Sequence, residues 1–514
     1  MPQIVQSGSF NAASVNVPDL YVNVVPPGSG GISNASTNVV GLSGVASWGK
    51  VNVATPFGDP TSLLAAFGPI TARKFDMATA ASVSIQQGAN AFYGVRVTDG
   101  TDVAASLTLS GTELAKAPVF YANLAAALNT GAGVNRNGSS LVSFWAQSGI
   151  LSALCSGTVG NSISLLLQVG SRIGTVRAVV SCPALGGRPE VYDNLVLGAS
   201  EAPTLGTAYA LTGGTDGAGV TPAQVAGSNS LVPPTGIFAL HGRGCAVAMP
   251  VDCDDQTSWE PMAAWAYGEG VVIGVAGPSG ETIAQAQISK ANAGVDDWSL
   301  KVILGDYVYW NDPVNGVTRL VTPQAWWAGR RATLAPNDSS LNKPLVGVAG
   351  TAHSGQVTSG SLAQYTLADI QNCVNSGIDL ICNPLPGGAY WGFRVGHNSS
   401  SDGKRNGENY SFMTMFLAKS INASMGSYVG KPISPTMVNN AFADLSTFGS
   451  NLVTLGIIGT LDGSPAFQVT CGASNNPSTL TGKGYLQGAM VVTYQGINEE
   501  FVISLDGGAT VSVG

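Results

Sequence analysis

Apolar and polar positions alternate in short runs at the start of the chain, and the period changes further along. Two alternating pieces, IVQSGSF and VNVPDLYVNVV, come first, and PPGSGG at 26–31 then breaks any regular element. The run NVVGLSGVASWG (38–49) reads as a strand and turn. Asp59 and Pro60 follow as cap and first position of a helix with Leu63, Leu64 and Phe67 on one side and Gly68 as its stop. A second helix is predicted over 76–88 and a strand over 91–99. Between about 100 and 205 the alternating runs ASLTLS, NSISLLLQV and GTVRAVVS are divided by Gly, Asn and Ser, with one helix near 120–129. This texture predicts a mainly β block inserted into the surrounding domain, and the glycine-rich stretch 211–228 is the return.

From 236 strands and helices alternate. GCAVAMPV, VVIGVAG and SLKVILGDYVYW are strands, separated by helices over 257–267 and 281–293. Short apolar strands between helices of this length predict a partly parallel sheet. Further helices are expected over 324–334, 366–375, 408–425 and 435–455, the last capped by Ser434. The end returns to strands over 485–496 and 500–505, and Asp506, Gly507 and Gly508 before ATVSV signal a hairpin.

Composition changes this picture in two ways. Charged residues are 10% of the chain, 22 Lys and Arg with 30 Asp and Glu, where an ordinary soluble domain carries about 25%. Sparse charge predicts that other molecules cover much of the surface. The first 49 residues carry one formal charge, Asp19. Such a polar, glycine-broken arm has too little apolar surface to close on itself and needs a partner strand, from its own core or another chain. The 67 glycines in 514 residues are about twice the ordinary ~7%, and being aperiodic they indicate tight turns and close backbone approach. A net charge of -8 without a basic cluster argues against nucleic acid or anionic lipid as a direct partner. Apolar runs are far too short to span a bilayer, and the first residues lack the regions of a signal peptide. Seven dispersed cysteines (155, 182, 245, 253, 373, 382, 471) read as reduced, mostly buried thiols of a protein made in a cytosol.

Candidate chemistry is thin. Gly44 to Lys50 has the spacing of a phosphate loop, but Val51 stands where a hydroxyl must hold magnesium and Trp48 where the backbone must wrap. A structural turn is the better reading. A histidine base must be His241, His353 or His397, and His353 beside Ser354 does not by itself make a nucleophile pair. Asp252, Asp254 and Asp255 could collect a hard cation, yet they stand where carboxylates cap a helix. Cys245 with Cys253, and Cys373 with Cys382, lack zinc spacing. Trp326 and Trp327 beside Arg330 and Arg331 suggest packing or a subunit contact before a stacking platform. The residues therefore define no catalytic, cofactor-binding or metal site.

Several motifs are similar to those of contractile phage tail sheath proteins of the myophage type. They are NVVGLSGVASWGKVNVATPFGDPTSLLAAFGP (38–69) with the run ending NAFYGVRVTDG, LTGGTDG (211–217), SGIDLICNPLPGGAYWGFRV (376–395), FQVTCGASNNP (467–477) and EEFVISL. Gly392, Phe393 and Arg394 fall on a "WG-small-RT" signature, with Phe393 at the small position and Val395 at the threonine; Gly472 stands where Asp is usual. The resemblance covers 31–110 and 206–514. It implies an α/β fold: a tail-sheath core with mixed αβ sheets, a β-rich outward-facing insertion, and extended N- and C-terminal arms that lend strands to a neighbour. The expected segments are an N-terminal arm (1–30), the N-terminal part of the core (31–109), the protruding insertion (110–205), a middle α/β domain (206–350), the C-terminal core (351–494) and a C-terminal arm (495–514). Gly28, Gly30, Gly31 and Gly496 are candidate hinges.

What the resemblance implies functionally is a structural subunit, not an enzyme. It would polymerise as hexameric rings stacked helically around a tail tube protein, with baseplate and tail terminator at the ends. Contraction would drive the tube through the host envelope for genome delivery. No cofactor, direct nucleic-acid contact or membrane insertion is expected, and the implied place is the virion tail, assembled in the host bacterial cytoplasm. The alternatives are another virion or secreted β-rich structural protein without contractile activity, and an enzyme.

Overall fold

The computed structural model of the chain describes residues 3–6, 21–24, 32–130, 140–198, 200–357 and 363–503. Hinge candidates Gly28, Gly30 and Gly31, and the hairpin turn at 506–508, lie outside them. Two compact units form: 1–35 with 416–496, and 36–415 with 497–514. The segment 351–494 thus contributes to both.

In chain order, β1 (Gln3–Gln6) and β2 (Tyr21–Val24) pair in parallel. β3 (Val39–Gly44) and β4 (Ala54–Phe57) precede α1 (Pro60–Phe67), where the Asp59 side chain accepts from the amides of Thr61 and Ser62. This satisfies amides that the first turn leaves without intrahelical partners. Asp76 does the same for α2 (Met77–Gln86), and β5 (Ala91–Arg96) follows. After 100 come β6 (Ser106–Thr108), α3 (Gly111–Lys116), α4 (Pro118–Thr130), β7 (Val142–Trp145), β8 (Ile150–Ala153), β9 (Ser164–Val169), β10 (Thr175–Ser181), β11 (Glu190–Val196) and β12 (Ala208–Ala210).

The chain then returns through α5 (Pro222–Ala226) to β13 (Val247–Pro250), α6 (Trp259–Glu269), β14 (Val272–Ala276), α7 (Ile283–Ala293) and β15 (Leu300–Ile303). β16 (Val308–Asp312), β17 (Val317–Val321), α8 (Gln324–Arg331), β18 (Gly350–Thr351) and β19 (Gly355–Gln356) follow. Next are α9 (Leu367–Ser376), β20 (Ile378–Asp379), β21 (Ile381–Cys382), β22 (Gly392–Phe393) and α10 (Glu408–Met425). The last elements are α11 (Pro435–Thr454), β23 (Phe467–Thr470), α12 (Ser478–Thr481) and β24 (Ala489–Val492).

The larger unit is built on a seven-stranded sheet, β20-β15-β14-β13-β3-β5-β4, parallel throughout except for the antiparallel edge β4. Its first strand, β3, lies inside the sheet: the chain moves from it to β5 on one side and returns to β13 on the other. Val247 and Met249 belong to one apolar cluster and Ala248 to another, so both sheet faces are covered. That is why the strands read as continuous apolar runs.

Residues 105–211 contribute almost all of a third apolar cluster, which includes Phe120, Tyr121, Leu124, Phe144, Leu165 and Tyr192. It lies among α4, the antiparallel sheet β6-β8-β7 and the antiparallel sheet β11-β10-β9-β12. Two helices form here where the sequence suggested one; Ser110 caps the short α3 by accepting from the Glu113 amide. Backbone bridges Val103–Thr215 and Ser106–Thr212 bring both ends of the segment together. Asp216 ties that junction to the main sheet, accepting from Ser47 Oγ (2.9 Å), Arg73 Nη1 (2.5 Å) and the Thr158 amide (2.7 Å).

Two expectations are corrected. SLKVILGDYVYW is two strands, β15 and β16, broken at Gly305, where an added Cβ would stand 2.2 Å from the Pro278 carbonyl oxygen. The strand expected over 485–496 is only Ala489–Val492, and it pairs antiparallel with β23, Phe467 opposite Val492; of the strand expected over 500–505, residues 500–503 are in no strand, and the rest of it lies outside the described residues with the 506–508 turn. Local alternation marked a strand near 489 but carried no information about its partner.

Candidate functional site

The loop from Gly44 to Lys50 is a packing turn. Trp48 is buried in the cluster of the inserted segment, and Gly49 takes φ +101° where a Cβ would meet the Ala66 carbonyl oxygen at 2.7 Å. His241 is exposed beside Glu269 (Nδ1 to Oε1, 2.5 Å). His353 stacks on Tyr365 with ring centroids 4.1 Å apart, while Ser354 Oγ engages the backbone of Thr351 and Gly355. His and Ser in that pair are therefore turned to different partners. His397 is buried, with Nε2 3.0 Å from Glu499 Oε1.

The three aspartates of VDCDDQ separate. Asp255 accepts from the Thr257 amide (3.0 Å), Asp254 pairs with Lys74 (2.8 Å), and Asp252 Oδ2 accepts from the Phe75 amide (2.9 Å). Among the described residues no group of three or more His, Cys, Asp or Glu is arranged to hold a metal ion. Asp252 and Asp254 border a cavity of about 430 Å³ beside the carboxyl end of β13, with Arg73, Lys74, Thr79, Tyr307 and Arg319. Each cation there has a carboxylate: Arg73 holds Asp76 and Asp216, Lys74 holds Asp254, and Arg319 holds Asp312. All seven cysteines are free and buried, and burial pushes the thiols of Cys373 and Cys382 up to about 12, which makes them poor nucleophiles.

Trp326 and Trp327 are fully buried. Their indole N–H groups donate to the Val346 carbonyl (2.9 Å) and to Glu408 Oε1 (2.8 Å). Glu408 is the centre of an ion network that sequence reasoning missed. Its Oε2 accepts from the Ser340 amide (2.9 Å) and lies 3.7 Å from Lys301 Nζ, and Oε1 lies 3.7 Å from Arg331 Nε. Lys301 also pairs with Asp379 (2.6 Å), which accepts from the amides of Leu380, Val395 and Gly396. Burial alone would raise the Glu408 carboxyl, but Lys301, Arg331 and Ser340 outweigh it and hold the group below its usual range. Burial lowers Arg331 to about 10. The network joins β15, α8, β20 and the start of α10. The signal in the sequence was one charge in each of two apolar strands, Lys301 in SLKVILG and Asp379 in GIDLIC.

An open sheet edge and an exposed apolar stretch stand out on the surface. In the smaller unit, β23 and β24 form a two-stranded sheet with no further strand on either edge among the described residues. A pair of strands is marginal alone in water, and here α11 supports it: a Cβ on Gly449 would stand 2.4 Å from the Phe467 ring. Beneath it is a cavity of about 550 Å³ lined by Ile421, Met425, Met437, Leu445, Leu486 and Met490. The chain beyond Gly496 ends its described part in Phe501, Val502 and Ile503, all exposed.

The sequence matches no protein-family model and no curated protein. The fold is matched by solved structures. One is a sheath tail protein from Listeria innocua: TM-score 0.57, 13% identity, 87% of this chain and 91% of that one. Another is a sheath tail protein from Desulfitobacterium hafniense: TM-score 0.53, 13% identity, 88% and 93% covered. The helical sheath of the anti-feeding prophage in its contracted state gives TM-score 0.55 at 9% identity, over 96% of this chain and 99% of that one. The chain is similar to these proteins in mixed α/β architecture, and its fold is that of the contractile tail sheath proteins.

Proposed function

We propose that this protein is the structural subunit of a contractile phage tail sheath. It polymerises as hexameric rings stacked around a tail tube, between baseplate and terminator, and shortens to drive the tube through the host envelope for genome delivery. Its place is the virion tail, assembled in the host bacterial cytoplasm, and it performs no catalysis. The carrying observation is the sheath fold over 96% of the chain; at 10% charged residues, extensive surface covering by copies of itself fits the composition as well. A β-rich structural protein of another kind would not need the seven-stranded, mostly parallel sheet.

In this reading 1–30 and 495–514 are arms that pair as strands with a neighbour, and the open pair β23–β24 supports the reading as a receiving sheet. Residues 110–205, with β6 and β12 at their base, are the outward-facing insertion; 31–109, 206–350 and 351–494 supply the core. The test is assembly of the purified chain followed by electron microscopy. Tubes of stacked rings are expected from the full chain, and folded, non-polymerising protein after deletion of 495–514. Normal tubes from the shortened chain would remove the arms from the account.

A further inference from the structure

Among the described residues past Gly496, 497–503, there is no helix or strand, and residues 498–503 are all exposed. The side-chain bond that ties this stretch to the body of its unit runs from Glu499 Oε1 to His397 Nε2, 3.0 Å. The two partners are unequal. The His397 side chain is 6% exposed and that of Glu499 45%. His397 is fixed through its backbone as well: its carbonyl accepts from Lys301 Nζ (3.2 Å) and it bridges to Gly407. A rigid buried imidazole therefore holds a half-exposed carboxylate on a loose segment. Nδ1 of His397 is buried with no partner, so the proton placement that fits has Nε2–H donating to Glu499 and Nδ1 bare.

Two residues beyond Glu499 come Phe501, Val502 and Ile503, exposed by 78%, 83% and 72%. Three consecutive exposed apolar residues outside any strand are free to add as a strand to another chain's open sheet edge. Left loose, they would associate without order.

We propose that His397 and Glu499 form a latch that holds the C-terminal arm against its own subunit and delays its transfer to a second copy of the chain. The inference rests on the reading of 495–514 as an arm. One hydrogen bond has the strength such a latch needs. It restrains a free arm, yet a neighbour offering several backbone bonds and an apolar surface outcompetes it.

Glu499→Ala removes the acceptor from an exposed position and leaves the core intact; Glu499→Gln keeps a carbonyl oxygen for the Nε2–H. A nitroxide on Val502→Cys reports arm motion in the unassembled full chain, because the seven native thiols are buried. E499A is expected to raise the mobile-to-immobile ratio of the spectrum roughly fivefold, the effect of one net hydrogen bond, with E499Q close to the parent. Without the label, E499A is expected to shorten the lag of tube formation in light scattering by a similar factor. Adding H397A should then change the lag no further. An unchanged spectrum in E499A overturns the latch, and so does a looser arm with an unaltered lag. If the parent chain forms no tubes under any condition, the sheath reading falls, whereas the spectra still decide whether the contact restrains the arm.

Discussion

Asp252 sits in the left-handed region at φ +52°, with one carboxylate oxygen bonded to the Phe75 amide and the other buried without a partner. Burial pushes its carboxyl from 3.8 up to about 6. Because the folded chain binds the proton more tightly than the unfolded one, this group's contribution is full below pH 3.8 and is lost as pH rises through 6. Asn tolerates positive φ and keeps the bond to Phe75. Asp252→Asn is therefore expected to be more stable at pH 7.5 by about 1–2 kcal/mol and to flatten the stability profile between pH 4 and 6. Thermal unfolding at pH 4.5 and 7.5 checks both. Lys301 behaves oppositely, since removing it leaves Asp379 and Glu408 buried with less compensation. Lys301→Met should cost about 3–5 kcal/mol in denaturant unfolding, and a loss under 1 kcal/mol would mean the network is solvated.

At the scale of elements, α2 and α8 meet with almost no side chain between them. A Cβ on Gly329 would lie 2.5 Å from Ser84 Cα and 2.6 Å from Ser84 O, and Ser84 Oγ donates to the Ala325 carbonyl. Alanine would improve helix propensity by about 1 kcal/mol, but it must push two backbones apart, an overpacking cost of about 1–3 kcal/mol. Because backbone cannot move aside as a flexible side chain can, Gly329→Ala is expected to destabilise on balance. A melting temperature at or above that of the parent would contradict this. Gly274 shows the same economy in the sheet: its absent Cβ leaves room for the Trp327 ring, 2.4 Å from where that atom would be.

For the whole molecule, the segment between Val103 and Thr215 departs and returns at one bridged point. A short Gly and Ser link in place of 104–214, with Asp216 retained and Trp48→Ser to replace the residue that loses its cover, should leave a folded core that still forms tubes. Closing a short link costs less chain entropy than closing a segment of about a hundred residues, by on the order of 2–3 kcal/mol, so the excision carries no closure penalty. Loss of cooperative unfolding in the excised chain would show that the core depends on the insertion. If the chain is the sheath subunit proposed above and apolar and hydrogen-bonded contacts carry its assembly, as sparse charge implies, its contraction threshold should vary weakly with ionic strength; a steep dependence in a salt series would assign the work to ion pairs.

Local chemistry made much of this protein legible without coordinates. The Asp59-Pro60 and Ser434-Pro435 starts and the bounds of α10 follow from a few adjacent residues, and the structure has each of them. Strand and helix alternation after 236 likewise announced a parallel sheet, because its strands are apolar on both faces. Tertiary structure alone decided where the segments meet. It put β3 inside the sheet, paired β24 with β23, brought Lys301, Arg331, Asp379 and Glu408 into one buried network, and set His397 against Glu499. Periodicity reports which face of an element is buried. Its partner is chosen by complementary shape and by the need to satisfy every buried polar group, and residues far apart in the chain settle that together.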